Sequence, residues 1–343
     1  MVKSTKNSFR AAILRNVNSE LNIEHLVLPA LKEGEAIVQV LYSGICASQV
    51  MEVQGKRGRD NWLPHLLGHE GVGIVEKVYS KVDRELLGKK VILTWLRPRN
   101  SENKNRKYTT QYGEIINSGE VSTLTEKIVV STKSLHVVNS KFSDRVLALF
   151  GCALATGGGM AINHCPPKKE KRLRVAVLGF GGVGAGAAVA LKGMGLIVNI
   201  WELSEARRAL ARNLGFGVIE SPEELSSHMN SFDLCFEASG SVATIELALR
   251  LIHFEGKVVF ASHPPTGEHI RINPHDLIRG KKIEGYWGGD GFHSGFFREL
   301  EVLVEKAKID SEQLVGEVFD LNDINLAIAT AAKQQTGRVL VKL

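Results

Sequence analysis

Three side chains far apart in the sequence have the chemistry to hold a transition metal. Cys46 stands in Gly44-Ile45-Cys46-Ala47-Ser48, His69 in Leu67-Gly68-His69-Glu70-Gly71, and Cys152 follows Gly151. Two thiolates and one imidazole are borderline-soft donors that suit zinc, and three protein ligands leave a fourth tetrahedral position open for water or substrate. An open position signals catalysis. Taken singly, such a cysteine is more often a packing residue and such a histidine a structural one. The zinc reading therefore requires all three to meet in the fold.

A second constellation is local. Gly179-Phe180-Gly181-Gly182-Val183-Gly184 directly follows an apolar strand, Val175–Leu178, and opens a helix. The first glycine makes the tight turn, the second lets backbone approach a pyrophosphate, and the third lets the helix pack closely on the sheet. The anion then rests on the helix N-terminus. Glu202 closes the next strand, where a carboxylate accepts hydrogen bonds from an adenosine ribose and repels a 2′-phosphate, favouring NAD over NADP. Arg207 and Arg208 lie close by; they are either helix surface or a guanidinium site for that phosphate.

The elements needed to position these residues differ between the two halves. Segments 35–42, 71–79 and 89–95 are short, β-branched and bounded by glycine or charge, which predicts an antiparallel, barrel-like first half with a poor helix signal. Ser143 caps a predicted helix. From Arg174 onward, apolar strands alternate with amphipathic helices: strands at Val175–Leu178, 197–202, 234–237 and 257–261, helices at 184–193, 204–214 and 241–252. That alternation predicts a doubly wound parallel sheet with helices on both faces, an α/β class. The tail 288–343 holds a helix at 297–307 and a terminal strand at 338–343. No internal repeat interrupts the pattern.

Composition narrows the function classes. A chain of 343 residues with 44% hydrophobic and 23% charged residues suits two domains and excludes disorder. The net charge is +6 and the pI about 9.0. The excess concentrates in 97–107 and 168–174 without interleaved aromatics, which argues against nucleic acid. The longest uncharged stretches, 146–162 and 175–191, are broken by glycines and are too short for a membrane span. Four cysteines form no disulfide scaffold, and Met1-Val2-Lys3-Ser4-Thr5-Lys6 lacks an apolar core behind its charges. A reduced, cytoplasmic protein is expected.

In chain order, Gly-Ile-Cys-x-Ser at 44–48, Gly-His-Glu-Gly at 68–71, Gly-Cys-Ala-Leu-Ala-Thr-Gly at 151–157 and the glycine fingerprint resemble the zinc-dependent medium-chain alcohol dehydrogenase family over nearly the whole chain. The Cys₂His set is that family's own, so the assignment of Cys46, His69 and Cys152 as ligands rests on the resemblance. The resemblance implies a GroES-like catalytic domain (1–153 and 288–343), a Rossmann domain (154–287) and an active site in the cleft. It also implies one catalytic zinc per chain, NAD as cofactor, a small-molecule alcohol or carbonyl as substrate, and a homodimer or homotetramer. By position, Ser48 matches the hydroxyl that takes the alcohol proton, Thr156 the threonine beside the nicotinamide, and Trp95 a substrate-pocket aromatic. Arg338 matches a pyrophosphate contact, and Glu70 a transient zinc ligand or hydrogen-bonding group. Gly179, Gly181, Gly182, Val183, Gly184, Glu202 and Arg207 complete the cofactor site.

Four departures stand out. Region 97–112 lacks the four cysteines of the family's structural-zinc lobe, so that second zinc is not expected. Gln49 replaces the acid that orients the ligand histidine. Met51 replaces the histidine that hands the proton to solvent. Cys152 stands where polyol-type relatives carry glutamate. Three other readings stay open: a zinc-free quinone reductase, which would not need the triad; a polyol-type dehydrogenase; and a silent NAD- and zinc-binding interaction protein, which would not need Ser48. The loop 52–64, with Lys56, Arg57, Arg59 and Asp60, either favours a polar substrate or is simply solvated. His65, just before the zinc motif, reads either as a surface or satisfied histidine or, less often, as a group that reaches a polar substrate; Cys235 reads as core, and Cys165 has no assigned role.

Overall fold

The computed structural model describes residues 8–96, 105–166, 173–265, 267–288, 293, 295–333 and 336–343. The start of the chain and parts of both basic stretches lie outside these residues. The chain divides into two compact units. One comprises Met1–Cys152, Val315–Gln334 and Arg338–Leu343, and the other Ala153–Leu314 and Gln335–Gly337.

The first unit contains β1 (Ser8–Leu14), β2 (Asn22–Val27), β3 (Glu35–Gly44), α1 (Ala47–Val53), β4 (His65–Leu66), β5 (Glu70–Val78), β6 (Lys90–Thr94), β7 (Arg106–Thr110), β8 (Ile115–Ser118), β9 (Lys127–Ser131), β10 (His136–Val137) and α2 (Asp144–Leu149). The second contains α3 (Ala153–His164), β11 (Val175–Leu178), α4 (Gly182–Gly193), β12 (Val198–Trp201), α5 (Glu205–Asn213), β13 (Gly217–Val218), α6 (Pro222–Ser227), β14 (Phe232–Glu237), α7 (Val242–Leu251), β15 (Ile252–Phe260), α8 (Pro274–Ile278), β16 (Lys282–Gly285) and α9 (Phe296–Lys306). The chain then returns to the first unit through β17 (Val315–Asp320), α10 (Ile324–Ala332) and β18 (Arg338–Lys342).

In the first unit, β1-β2-β7-β8-β4 close a barrel, and a second sheet runs β10-β6-β5-β3-β18-β17 with β9 also paired to β3. Strand β3 is central, so both of its faces are largely buried, and its β-branched residues pack with Val75, Val91, Leu93 and Ile128. The first half is less purely β than the sequence suggests. Cys46 stands at the N-cap of α1, where its N–H donates to Gln49 Oε1 at 2.8 Å. That hydrogen bond satisfies one donor at the start of a helix too short to show a periodic pattern.

The second unit is a six-stranded parallel sheet, β13-β12-β11-β14-β15-β16, the order of a doubly wound fold. Glycine decides how α3 packs. A Cβ on Gly157 would lie 2.0 Å from the Val183 carbonyl of α4, one on Gly158 2.3 Å from Leu300 of α9, and one on Gly159 2.2 Å from the Tyr286 hydroxyl. Because α9 seats its apolar face in this small-residue surface, it belongs to the second unit. The return to the first unit begins at Val315, not at residue 288 as expected from sequence.

Candidate metal centre and nucleotide cradle

The first unit brings Cys46, His69 and Cys152 together, with one donor atom from each lying within 4.8 Å of the others. Each donor sits at an element boundary. Cys46 leads from β3 into α1, His69 immediately precedes β5, and Cys152 follows α2 through Gly151. That last step needs glycine, since a Cβ on Gly151 would meet the Leu93 carbonyl at 2.3 Å and the Glu70 backbone at 2.6 Å. Thr94 Oγ1 donates to the Gly151 carbonyl at 2.6 Å and fixes the turn. The His69 ring meets Trp95 edge-on, with centroids 6.4 Å apart. Ser48 lies two residues beyond Cys46 in α1, half-buried.

Electrostatics favour an anionic sulfur here. The hydrogen bond from Cys152 holds the Cys46 thiol well below the ordinary range; burial opposes this, and the charges of Arg338 and His69 assist it. Facing that thiolate, and also buried, Cys152 is pushed well above its ordinary value. Burial pulls the His69 imidazole down, but its hydrogen bond to Cys46 and the nearby negative charges leave it raised overall. Thiol, thiolate and imidazole thus share protons that a soft cation would displace on binding.

Arg338, expected at the cofactor, is anchored beside this group. Its Nε lies 2.9 Å from Glu70 Oε1 in a close ion pair that lacks hydrogen-bond alignment, and its Nη1 donates to the Ile45 carbonyl at 3.1 Å. Burial works against the guanidinium charge, but Glu70, Cys46 and Cys152 outweigh it and the group is held above its ordinary range. Glu70 is fully buried and reaches Arg338 across Gly44, where a Cβ would sit 1.9 Å from its carboxylate oxygen. Gln49, expected near His69, instead spends its oxygen on the Cys46 N–H.

In the second unit the glycine run has the geometry its spacing predicts. Gly179 has a positive φ of 87°, open to glycine at little cost. A Cβ on Gly184 would fall 1.9 Å from the Gly179 carbonyl, whereas one on Gly181 would meet only Arg207 Nη1 at 3.9 Å. Gly181 therefore faces open space, as a backbone that must approach a ligand requires. Gly182 and Val183 form the first turn of α4. Glu202 is buried and accepts from the Phe180 N–H at 2.8 Å and the Ser204 N–H at 2.9 Å, which ties it to the cradle. Arg207 lies 3.7 Å from Glu202. Arg208 donates to the Glu202 and Leu203 carbonyls, so it serves local structure. Thr156 Oγ1, on α3, is buried and has no hydrogen-bond partner among the described residues.

Sequence reasoning named His65 and the loop that carries Asp60 separately and missed that they meet. Glu52, Asp60 and His65 also bring donor atoms within 4.8 Å of one another. They line a cavity of about 360 Å³ in the first unit that His69 and Gln49 line as well. His65 is buried and both ring nitrogens have partners, so of the readings the satisfied histidine holds and the surface one does not. The loop charge noted at Asp60 was the available signal, but only folding brings 52, 60 and 65 together.

Comparison with known proteins identifies the family of the chain. An alcohol dehydrogenase GroES-like domain matches residues 32–140, and a zinc-binding dehydrogenase domain matches residues 182–306. The chain belongs to the zinc-dependent medium-chain alcohol dehydrogenase family. This dehydrogenase is 26% identical to the class-3 alcohol dehydrogenase of Drosophila melanogaster over 378 aligned positions, 97% of each chain. Its fold is similar to an alcohol dehydrogenase zinc-binding domain protein from Burkholderia ambifaria (TM-score 0.87, 21% identity, 98% of this chain and 99% of that one). It is also similar to benzyl alcohol dehydrogenase from Acinetobacter calcoaceticus (TM-score 0.84, 22% identity, 98% and 99%). The GroES-like and Rossmann fold classes and an oxidoreductase activity follow. Among the described residues, no helix is long and apolar enough to cross a membrane.

Proposed function

We propose that the dehydrogenase interconverts an alcohol with its aldehyde or ketone, using one zinc ion held by Cys46, His69 and Cys152 and NAD(H) held on the glycine cradle. The meeting of two thiols and an imidazole within 4.8 Å carries this reading, because that donor set suits zinc and leaves a coordination position open. Zinc there supplies the Lewis acidity that favours ionisation of an alcohol near neutral pH, and NAD supplies the hydride-accepting ring.

The chain's own residues supply the rest. Ser48 takes the alcohol proton. Gln49 fixes the Cys46 backbone, and Trp95 packs the His69 ring, so both donors are held before any substrate arrives. Met51 has no proton to pass, so the proton leaves by way of the cofactor ribose or water. On the cradle, Glu202 keeps lone pairs for the adenosine ribose while its other bonds hold the Gly179–Gly181 turn. Thr156 offers a buried hydroxyl that has no hydrogen-bond partner among the described residues. Arg207, beside Glu202, favours a second reading in which NADP is also accepted. The reading places the enzyme in the cytoplasm, as a homodimer or homotetramer, acting on a small-molecule alcohol or carbonyl.

Ser48→Ala tests the proposal. The variant should retain zinc and NADH affinity while single-turnover hydride transfer falls on the order of 10²-fold. An unchanged rate and pH profile would remove Ser48 from the proton path.

A further inference from the structure

Two buried acids flank the glycine turn, and only Glu202 has a task so far. The strand order of the second unit reverses between β11 and β14, and a dinucleotide lies across such a point with one mononucleotide half on each side. Glu202 follows β12, on the adenosine side, and Glu237 ends β14, on the other. In register, Glu237 stands opposite Leu178 of β11 and Phe260 of β15. The two acids are bonded alike. Glu202 accepts from the N–H two residues on, at Ser204, and from the Phe180 N–H of the neighbouring turn. Glu237 Oε1 accepts from the N–H two residues on, at Ser239 (2.8 Å), and from the Ser239 hydroxyl (2.5 Å), while its Oε2 accepts from the Ser262 hydroxyl just beyond β15. The Ser239 hydroxyl also shares a hydrogen bond with Thr244 Oγ1 of α7 at 2.6 Å. One carboxyl thus ties together the ends of β14 and β15 and the first turn of α7.

Packing alone does not explain this acid. Glu237 is 0% exposed, and the described residues around it supply hydroxyls and an amide but no cation. Burial pushes its carboxyl up, and the hydrogen bonds oppose this without cancelling it. An apolar side chain would fill the same space without that cost. What Glu237 holds, however, faces outward: Ser239 and Gly240 are exposed and Ser262 is half-buried. Gly240 has a φ of 88°, and a Cβ there would meet nothing within 4 Å. The same turn backs the cradle, since a Cβ on Gly179 would lie 3.0 Å from the Ser239 backbone, and the Ala238 N–H donates to the Leu178 carbonyl at 2.9 Å. The wall of the cradle therefore continues from Gly179 through Ser239 to Ser262.

We propose that Glu237 is the positioning residue for the nicotinamide half of the cofactor: from beneath, it holds the Ser239-Gly240 turn and Ser262 in the shape that receives that half. It does not touch the cofactor itself. This inference rests on the proposed binding of a dinucleotide to the glycine cradle. A turn ordered before the ligand arrives does not have to be ordered at the expense of affinity, and that gain belongs only to the part of the ligand the turn receives.

The test uses the zinc-loaded full chain and three ligands that share the adenosine end: AMP, ADP-ribose and NADH. Their dissociation constants are measured calorimetrically in wild type and variants. Glu237→Leu should raise the constant for NADH at least about tenfold and that for ADP-ribose several-fold, while AMP stays within about twofold. Glu237→Gln, whose amide accepts from Ser239 and donates to the Ser262 oxygen, should stay within about threefold of wild type for all three ligands. Ser262→Ala, at a half-buried position, removes one of the bonds to Glu237 and should weaken NADH about threefold without changing AMP; it carries the comparison where Glu237→Leu does not fold. Equal weakening of AMP and NADH would make Glu237 a purely structural group and overturn the proposal. NADH affinity unmoved in either variant, or a Glu237→Gln enzyme as weak as Glu237→Leu, would overturn it as well. Wild-type enzyme that bound none of the three ligands would overturn the dinucleotide reading, and this inference with it.

Discussion

The metal centre is built from side chains gathered from three distant element ends, whereas the nucleotide cradle is built from backbone within six consecutive residues. Each construction fails in its own way. At the metal centre a donor can be replaced with little change in packing, because Cys46 and His69 are half-buried. At the cradle the space itself is the function, and a Cβ on Gly184 would fall 1.9 Å from the Gly179 carbonyl. The first site should therefore lose chemistry while keeping its fold, and the second should lose both.

Gly184→Ala should produce the largest change at the cradle. The added methyl has no room against backbone, so overpacking should cost about 1–3 kcal/mol of stability. NADH affinity should fall about a hundredfold while zinc stays bound. Fluorescence titration with NADH, paired with metal analysis, checks both halves; zinc lost together with the nucleotide would mean that the two sites are not separable.

A milder change comes from Glu202→Ala. It removes the acceptor for two backbone N–H groups and the carboxylate that repels a 2′-phosphate. The KM for NAD should rise about tenfold and the preference over NADP should shrink. Wild-type enzyme that already prefers NADP would transfer the reading to Arg207.

The effect furthest from either site belongs to the first unit's fold and leaves turnover at neutral pH unchanged. Burial pushes His136 from 6.5 down to about 4, so the native state holds it neutral. The unfolded chain takes up the proton first as pH falls. Stability from this group is present above pH 6.5 and is lost as pH falls from there through about 4, up to about 3 kcal/mol. His136→Gln should flatten that acid limb in denaturant unfolding curves; a limb of unchanged slope would assign the acid sensitivity to another group.

The same contrast explains what could be read from the sequence. The cradle was legible because its glycines, its strand Val175–Leu178 and its acid are contiguous and each answers a local steric need. The metal donors were legible by type, but only the fold shows that the ends of β3 and α2 and the start of β5 meet at one point. Helix α1 was missed because seven residues after a strand carry no periodic signal. The tail boundary differs from the expected one because α9 packs on small residues of α3 and α4, with Leu300 over Gly158 and Leu303 against Gly193, and glycine in a helix usually reads as weakness, not as a docking surface. Glu52, Asp60 and His65 lie in and beyond a loop without periodicity, so their convergence had no signature in the sequence.

The central claim is that Cys46, His69 and Cys152 hold one metal ion on which catalysis depends. Replacing zinc with cobalt(II) tests it directly, because thiolate coordination gives an intense charge-transfer absorption. The wild-type enzyme should bind one cobalt per chain with that band and turn over alcohol. Cys46→Ser should lose the band and the activity together, to below about a thousandth of wild type, while still binding NADH. One cobalt per chain with an unaltered thiolate band in Cys46→Ser, or turnover that survives without metal, would contradict it.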